Sequence, residues 1–82
     1  MLNLNCYEQN ILSIEEDSEI MLEVHGESNC YRPIKNGDGS WDMKMLYVEG
    51  KYYGLSCQNI YELRALLLAD YATDIITKAF IL

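Results

Sequence analysis

At Asn59 the chain changes period. Before it, short segments alternate apolar and polar residues and are broken by glycines and by Pro33; after it, "IYELRALLLADYATDIITKAF" belongs to roughly two dozen residues without Gly or Pro, rich in Ala and Leu. Alternation is the period of half-buried strands, and the long unbroken run is that of a helix. Asn59 followed three residues later by Glu62 is a capping-box spacing that opens such a helix. The expected architecture is α+β: an antiparallel β-meander of four to six strands with one long C-terminal helix packed on one face, as a single domain over residues 1–82.

Within the helix, Ala65, Leu68, Ala72, Ile75, Ile76 and Ala79 share one face, and Glu62, Asp70, Thr73, Asp74 and Thr77 form a polar arc. Leu63 and Leu67 lie roughly opposite the first face, with Leu66 on the flank. A helix over a sheet buries one stripe, so an apolar first half on both sides needs a second cover: a loop, a second protomer or a target protein. Which of the two sides meets the sheet is left open.

The strands are read from the alternation. "LNLNCY" sets Leu2, Leu4 and Cys6 against polar neighbours, and "NILSI" continues it or forms a strand of its own. "SIEEDS" reads as one helical turn, through Ser13 and Glu16, or as an acidic loop. In "EIMLEVHG", Ile20, Leu22 and Val24 face one way, and Glu19, Glu23 and His25 the other with Met21, a strand with one wet face. A turn at "GESN" follows, then "CYRPIK", whose Pro33 points to an edge or bulged strand. "SWDMKMLYV" is a long strand. Glu49-Gly50 then separates it from "KYYGLSC" by the length of a tight hairpin, which would set Tyr47 opposite Tyr52 and Leu46 opposite Tyr53.

The stretch "KNGDGSWD" looks most like a site, and it fails as one. No register puts acids at the first, third and fifth positions of a calcium loop with Gly sixth and Glu twelfth. A phosphate loop would end in Lys-Ser/Thr and open a helix, whereas a strand pattern follows here. Asn and Gly between two alternating runs are what a hairpin loop requires. His25 is the single histidine, which leaves no multi-histidine metal site or triad. Three cysteines, Cys6, Cys30 and Cys57, form no close pair, so neither a disulfide framework nor a zinc site is expected. No metal or cofactor is expected, and a chain this short leaves little room for a substrate pocket beside its core, so an enzyme is not expected. No apolar run is long enough to span a membrane and "MLNLNCYEQN" lacks the features of a secretory leader, so a cytoplasmic protein with reduced thiols is expected.

The net charge of −7 is unevenly placed. Residues 1–31 hold Glu8, Glu15, Glu16, Asp17, Glu19, Glu23 and Glu27 and no Lys or Arg; the rest of the chain holds six acids and six bases. Direct nucleic-acid binding needs clustered bases, so it is disfavoured. An acidic face suits a basic protein partner, with solubility alone as the alternative. Tyr47, Tyr52, Tyr53 and Tyr61 bunch around the hairpin and the helix start, either at an interface or paving the sheet beneath the helix. The expected partner-binding residues are Glu15, Glu16, Asp17, Glu19, Glu23, Trp41, Tyr47, Tyr52, Leu63 and Leu67.

These features suggest an acidic, non-enzymatic protein-binding module, most specifically an inhibitor of a basic nucleic-acid-handling protein. In size, charge and compactness the chain resembles small phage-encoded inhibitors of bacterial defence nucleases, the anti-CRISPR and anti-restriction proteins; no motif carries the likeness. The alternatives are an antitoxin or immunity-type protein that neutralises a toxin, and a structural homo-oligomer whose C-terminal helix dimerises through Leu63 and Leu67.

Overall fold

A computed structural model describes residues 6–82. Its elements are α1 (Cys6–Leu12), β1 (Ile20–Val24), β2 (Glu27–Lys35), β3 (Trp41–Met45), α2 (Ile60–Ala72) and β4 (Ile76–Ile81). The strands form one antiparallel sheet in the order β3-β2-β1-β4. Among the described residues the fold is thus α+β with four strands, but with two helices, and the longer one is followed by a strand rather than closing the chain.

The expected strand at Leu2, Leu4 and Cys6 lies outside the described residues up to Cys6, and from Cys6 the chain is helical. Tyr7, Ile11 and Ile14 recur at helical spacing; Ile11 and Ile14 are fully buried and Tyr7 packs against them. The helix stops at Ser13, whose amide and hydroxyl donate to Gln9 and Asn10 carbonyls. Of the two readings of "SIEEDS" the loop is the one found, closed by the Ser18 amide donating to the Glu15 carbonyl and the Glu15 amide to Ser18 Oγ.

β1 follows its alternation: Ile20 and Leu22 are fully buried and Val24 packs on the core. Val24 pairs with Glu27, so the hairpin loop is only His25-Gly26. Both residues have positive φ (51° and 80°), the left-handed pair that a two-residue turn between right-twisted strands demands. Pro33 sits in β2, interior to the sheet order, without breaking a ladder. Asn36 donates to Ser40 and Leu46 to Cys30, so the bonded pairs of β2 and β3 alternate to leave Pro33–Met43 non-bonded. The missing N–H therefore faces the β1 side, where pairing has already ended at Tyr31.

β3 stops at Met45, short of the expected Val48. The Met45 amide donates to the Lys51 carbonyl and Lys44 bridges to Tyr52, so Tyr47 does not face Tyr52. Tyr47 instead lies in the loop at φ 66°. This closure puts the Tyr53 ring 5.8 Å from the Tyr31 ring, edge to face, and its hydroxyl 2.6 Å from Asp70 on α2. A slip of three residues to the expected register would break both contacts.

The "KYYGLSC" segment follows β3 as a distorted companion. Lys44–Tyr52 and Trp41–Cys57 bridges enclose two residues on β3 and four on the returning chain. The surplus is held by one carboxylate: Asp42 Oδ1 accepts from the Met43, Gly54 and Leu55 amides at 2.7, 3.1 and 2.8 Å. Asp42, 8% exposed, is the buried charged side chain of the described core.

α2 starts where its cap predicts, with Asn59 Oδ1 accepting from the Glu62 amide at 2.8 Å. Its buried residues are Leu63 and Leu67, while Ala65 and Ala72 are exposed, so the side meeting the sheet is the reverse of the Ala65–Ala72 face. At its end the Ile75 amide donates to Asp70 and the Asp74 amide to Tyr71, with Asp74 at φ 62°. That is the Schellman arrangement with Asp where glycine is usual. The chain then reverses into β4. A register shift between Glu23 and Val24 lets Ile76 and Ala79, three apart, both be fully buried. A bulge has this effect, and it gives the strand a helix-like spacing.

Both sheet edges are occupied. The Leu82 amide donates to the Glu19 carbonyl, so Ala79 falls in a non-bonded pair with Leu22 and its carbonyl points outward. Asn10 Nδ2 of α1 reaches it at 2.6 Å, and the Tyr7 ring lies 5.3 Å from Phe80. At the other edge residues 51–57 cover β3. Each edge of the sheet is thereby partly covered.

Candidate protein-binding surface

The acidic loop between α1 and β1 is clamped by an arginine at each end. Arg64 of α2 donates from Nε to the Ile14 carbonyl at 2.7 Å, pairs with Glu15 at 3.3 Å and lies over the Tyr61 ring at 5.4 Å. Arg32 of β2 pairs with Glu19. Between the clamps, Glu16 and Asp17 are exposed at the apex and have no ion-pair partner among the described residues. The backbone of the loop is fixed by its own turn, so two carboxylates are displayed on a restrained turn.

The remaining acid of the expected set lies elsewhere. Glu23 is on the outer sheet face, accepting from Thr77 Oγ1 at 2.6 Å and pairing with Lys78 at 3.8 Å. Glu19 shares that face through the strand alternation. Three of the five acids are therefore neutralised within the chain, and such half-exposed pairs contribute about 0–1 kcal/mol each. The face left uncovered by the helices also carries a row of apolar side chains in register, Phe80, Met21 and Cys30, continued by Leu46. Sequence alternation placed Met21 on the polar side, but only the strand order brings the row together.

The aromatic and leucine candidates separate. Tyr47 is 89% exposed on the loop after β3 and Tyr52 is 46% exposed on the returning segment. Trp41 is half-buried and packs on the core. Leu63 and Leu67 are fully buried in this chain's own core. They cannot form a dimer contact without dismantling it, which removes the expected basis for a homodimer through the C-terminal helix.

The "KNGDGSWD" stretch is a hairpin loop between β2 and β3. The Gly39 amide donates to the Asn36 carbonyl at 3.0 Å and Gly39 takes φ 89°. Asp38 Oδ1 accepts from the Ser40 hydroxyl at 2.6 Å and its amide at 2.9 Å, which hold the Asp38 carboxyl below its ordinary range. Among the described residues no group of three His, Cys, Asp or Glu converges as metal ligands would.

A feature with no sequence signal is a cleft of about 280 Å³ where the β1–β2 turn meets the end of α2. Tyr31, Tyr52, Tyr53 and Asp70 line it, with His25 also at its wall. Burial first, then the hydrogen bond and charge of Asp70, push the Tyr53 hydroxyl far up; burial, then Glu27, raise that of Tyr31. Both remain neutral donors at neutral pH. Cys57 borders a separate depression of about 330 Å³ beside Asp38 and Glu62. Its thiol is raised by burial and then by Glu62 and Asp42, the opposite of an activated nucleophile.

Among the described residues no helix is long and apolar enough to cross a membrane. Protein-family models, curated proteins and solved structures yield no match to the chain.

Proposed function

We propose that this chain is a small acidic, non-enzymatic protein-binding module whose target is a basic, nucleic-acid-handling protein, which it inhibits by occupying the phosphate-binding surface. That role is of the phage anti-defence type, anti-CRISPR or anti-restriction. The observation that carries the reading is the clamped loop: Arg64 and Arg32 neutralise Glu15 and Glu19 and leave Glu16 and Asp17 bare at the apex. Two unpaired carboxylates on a restrained loop, in a chain of net charge −7, offer a basic surface both steering and complementarity.

The test is capture of the target from a bacterial lysate at low and high salt, with the bound protein identified by mass. The double variant Glu16→Lys, Asp17→Lys should abolish capture while leaving both arginine clamps intact, and the wild-type on-rate should fall as salt shortens the screening length to below about 10 Å. Salt-insensitive capture that survives the charge reversal would sink the proposal.

A further inference from the structure

We infer that the cleft between the β1–β2 turn and the end of α2 is a receptor for one cationic side chain, an arginine of the partner protein. The inference rests on the protein-binding reading above and assigns that partner a second point of contact.

The walls are aromatic. Tyr31 and Tyr53 meet edge to face, with centroids 5.8 Å apart and planes at 69°, and the half-exposed Tyr52 stands beside them. The charge is negative and only partly satisfied. Asp70 Oδ2 accepts from Tyr53 at 2.6 Å, while Oδ1 has no hydrogen-bond or ion-pair partner among the described residues. No Lys or Arg lines the cleft, and the Glu27 charge also reaches Tyr31. An aromatic wall attracts a cation through its ring quadrupole, and a carboxylate oxygen left open gives a charge-assisted hydrogen bond.

Size selects a side chain over a substrate. At about 280 Å³ the cleft falls just below the ~300–1,000 Å³ of sites that engulf a drug-sized molecule. Arginine fits better than lysine because its planar, weakly hydrated guanidinium can stack on the Tyr52 ring while a single N–H reaches Asp70. Tyr53 fixes the carboxylate in place and cannot neutralise it, since its proton is held firmly on the phenol.

The experiment is an NMR titration of the full chain with the blocked tripeptide acetyl-Gly-Arg-Gly-amide, and in parallel with its neutral citrulline counterpart. The arginine peptide should shift the ring resonances of His25, the single histidine, and the amides of Tyr52, Tyr53 and Ile75, saturably and in the millimolar range. Citrulline should not. Asp70→Asn keeps an acceptor for Tyr53 and should weaken binding by about tenfold, the scale of one charge-assisted hydrogen bond. Tyr52→Ala, at an exposed position, should weaken it several-fold with the rest of the spectrum unchanged. Equal shifts from both peptides, or shifts centred on Glu16 and Asp17, would overturn the inference. Capture of the target separates the two proposals: retention by Asp70→Asn with loss by Glu16→Lys, Asp17→Lys refutes the cleft alone, and retention by both variants refutes the charge-based mechanism of the acidic loop as well.

Discussion

Replacing Asp42 with alanine probes the joint on which residues 51–57 depend. One carboxylate oxygen accepts three backbone amides, those of Met43, Gly54 and Leu55. The Met43 bond is buried and the other two are part-buried. An amide left without a partner costs about 1–3 kcal/mol, with the lower end apt for the part-buried pair, so the sum is about 3–5 kcal/mol. At roughly 0.05–0.15 kcal/mol per residue, a chain of 82 residues has about 4–12 kcal/mol in total. Asp42→Ala therefore removes between a quarter and all of the stability. Asp42→Asn keeps one acceptor oxygen and loses only the charge, for about 1–2 kcal/mol. Urea unfolding followed by the fluorescence of Trp41, the single tryptophan and the residue just before Asp42, reads the effect directly. With a slope of roughly 1 kcal/mol per molar urea, the alanine midpoint should fall by about 3 M or more, or the variant should be unfolded without urea. Amide exchange at Gly54 and Leu55 should accelerate well before the helices open. A midpoint within about 0.5 M of wild type, or unchanged exchange at those two amides, would refute the role given to the carboxylate.

At the end of α2, Asp74→Gly should stabilise the fold by about 1 kcal/mol, because it relieves a left-handed side chain and removes a negative charge from the negative end of the helix dipole; a thermal melt should rise by about 4–8 °C. In alkali, stability should be level up to about pH 9 and then decline, read by urea midpoints across pH. The sign follows from the direction of the shifts: Cys57, Tyr31 and Tyr53 are all raised in the fold, so above the ordinary thiol and phenol ranges the unfolded chain releases protons that the folded chain retains. Cys57→Ala should move the onset of the decline to about pH 10, and a midpoint that rises with pH through this window would contradict the assignment.

Much of the sheet was legible because its devices are local. The alternation of Ile20, Leu22 and Val24, the Asn59–Glu62 cap and the Asn-Gly-Asp-Gly turn each act within a few residues and appear where the pattern puts them. β4 was hidden by two coincidences. The helix stop uses Asp74 in place of glycine, and the bulge opposite Glu23 spaces Ile76 and Ala79 by three, so the strand continues an apparently helical pattern. Once β4 is removed from the helix, the inward face of α2 moves to Leu63 and Leu67, and Ala65, Leu66 and Ala72 are left on its exposed side. α1 was obscured because the Leu2–Leu4–Cys6 alternation runs up to its first residue. Of the candidate surface, the acidic cluster was readable as composition, but its pairing with Arg32, Arg64 and Lys78 was not, since each base lies at least 13 residues away. The role of Asp42 left no mark in the sequence, because the surplus it holds exists only when the returning chain is bulged. The Asp70–Tyr53 cleft joins residues 17 apart and depends on the shifted hairpin.

The place of β4 also sets the order in which the chain can become a protein. It pairs with β1 across a gap of more than fifty residues, and α1 reaches it across 69. Such separations make closure slow relative to the local β1–β2–β3 hairpins, which need little loop entropy to form. Until residues 76–81 have been synthesised and docked, β1 has an open, apolar edge and Ile11, Ile14 and Leu22 have lost part of their cover. That half-built sheet is the species most exposed to pairing with another chain. The β4 strand thus acts as the latch of the fold: without it the sheet keeps an unpaired edge beside a partly uncovered core.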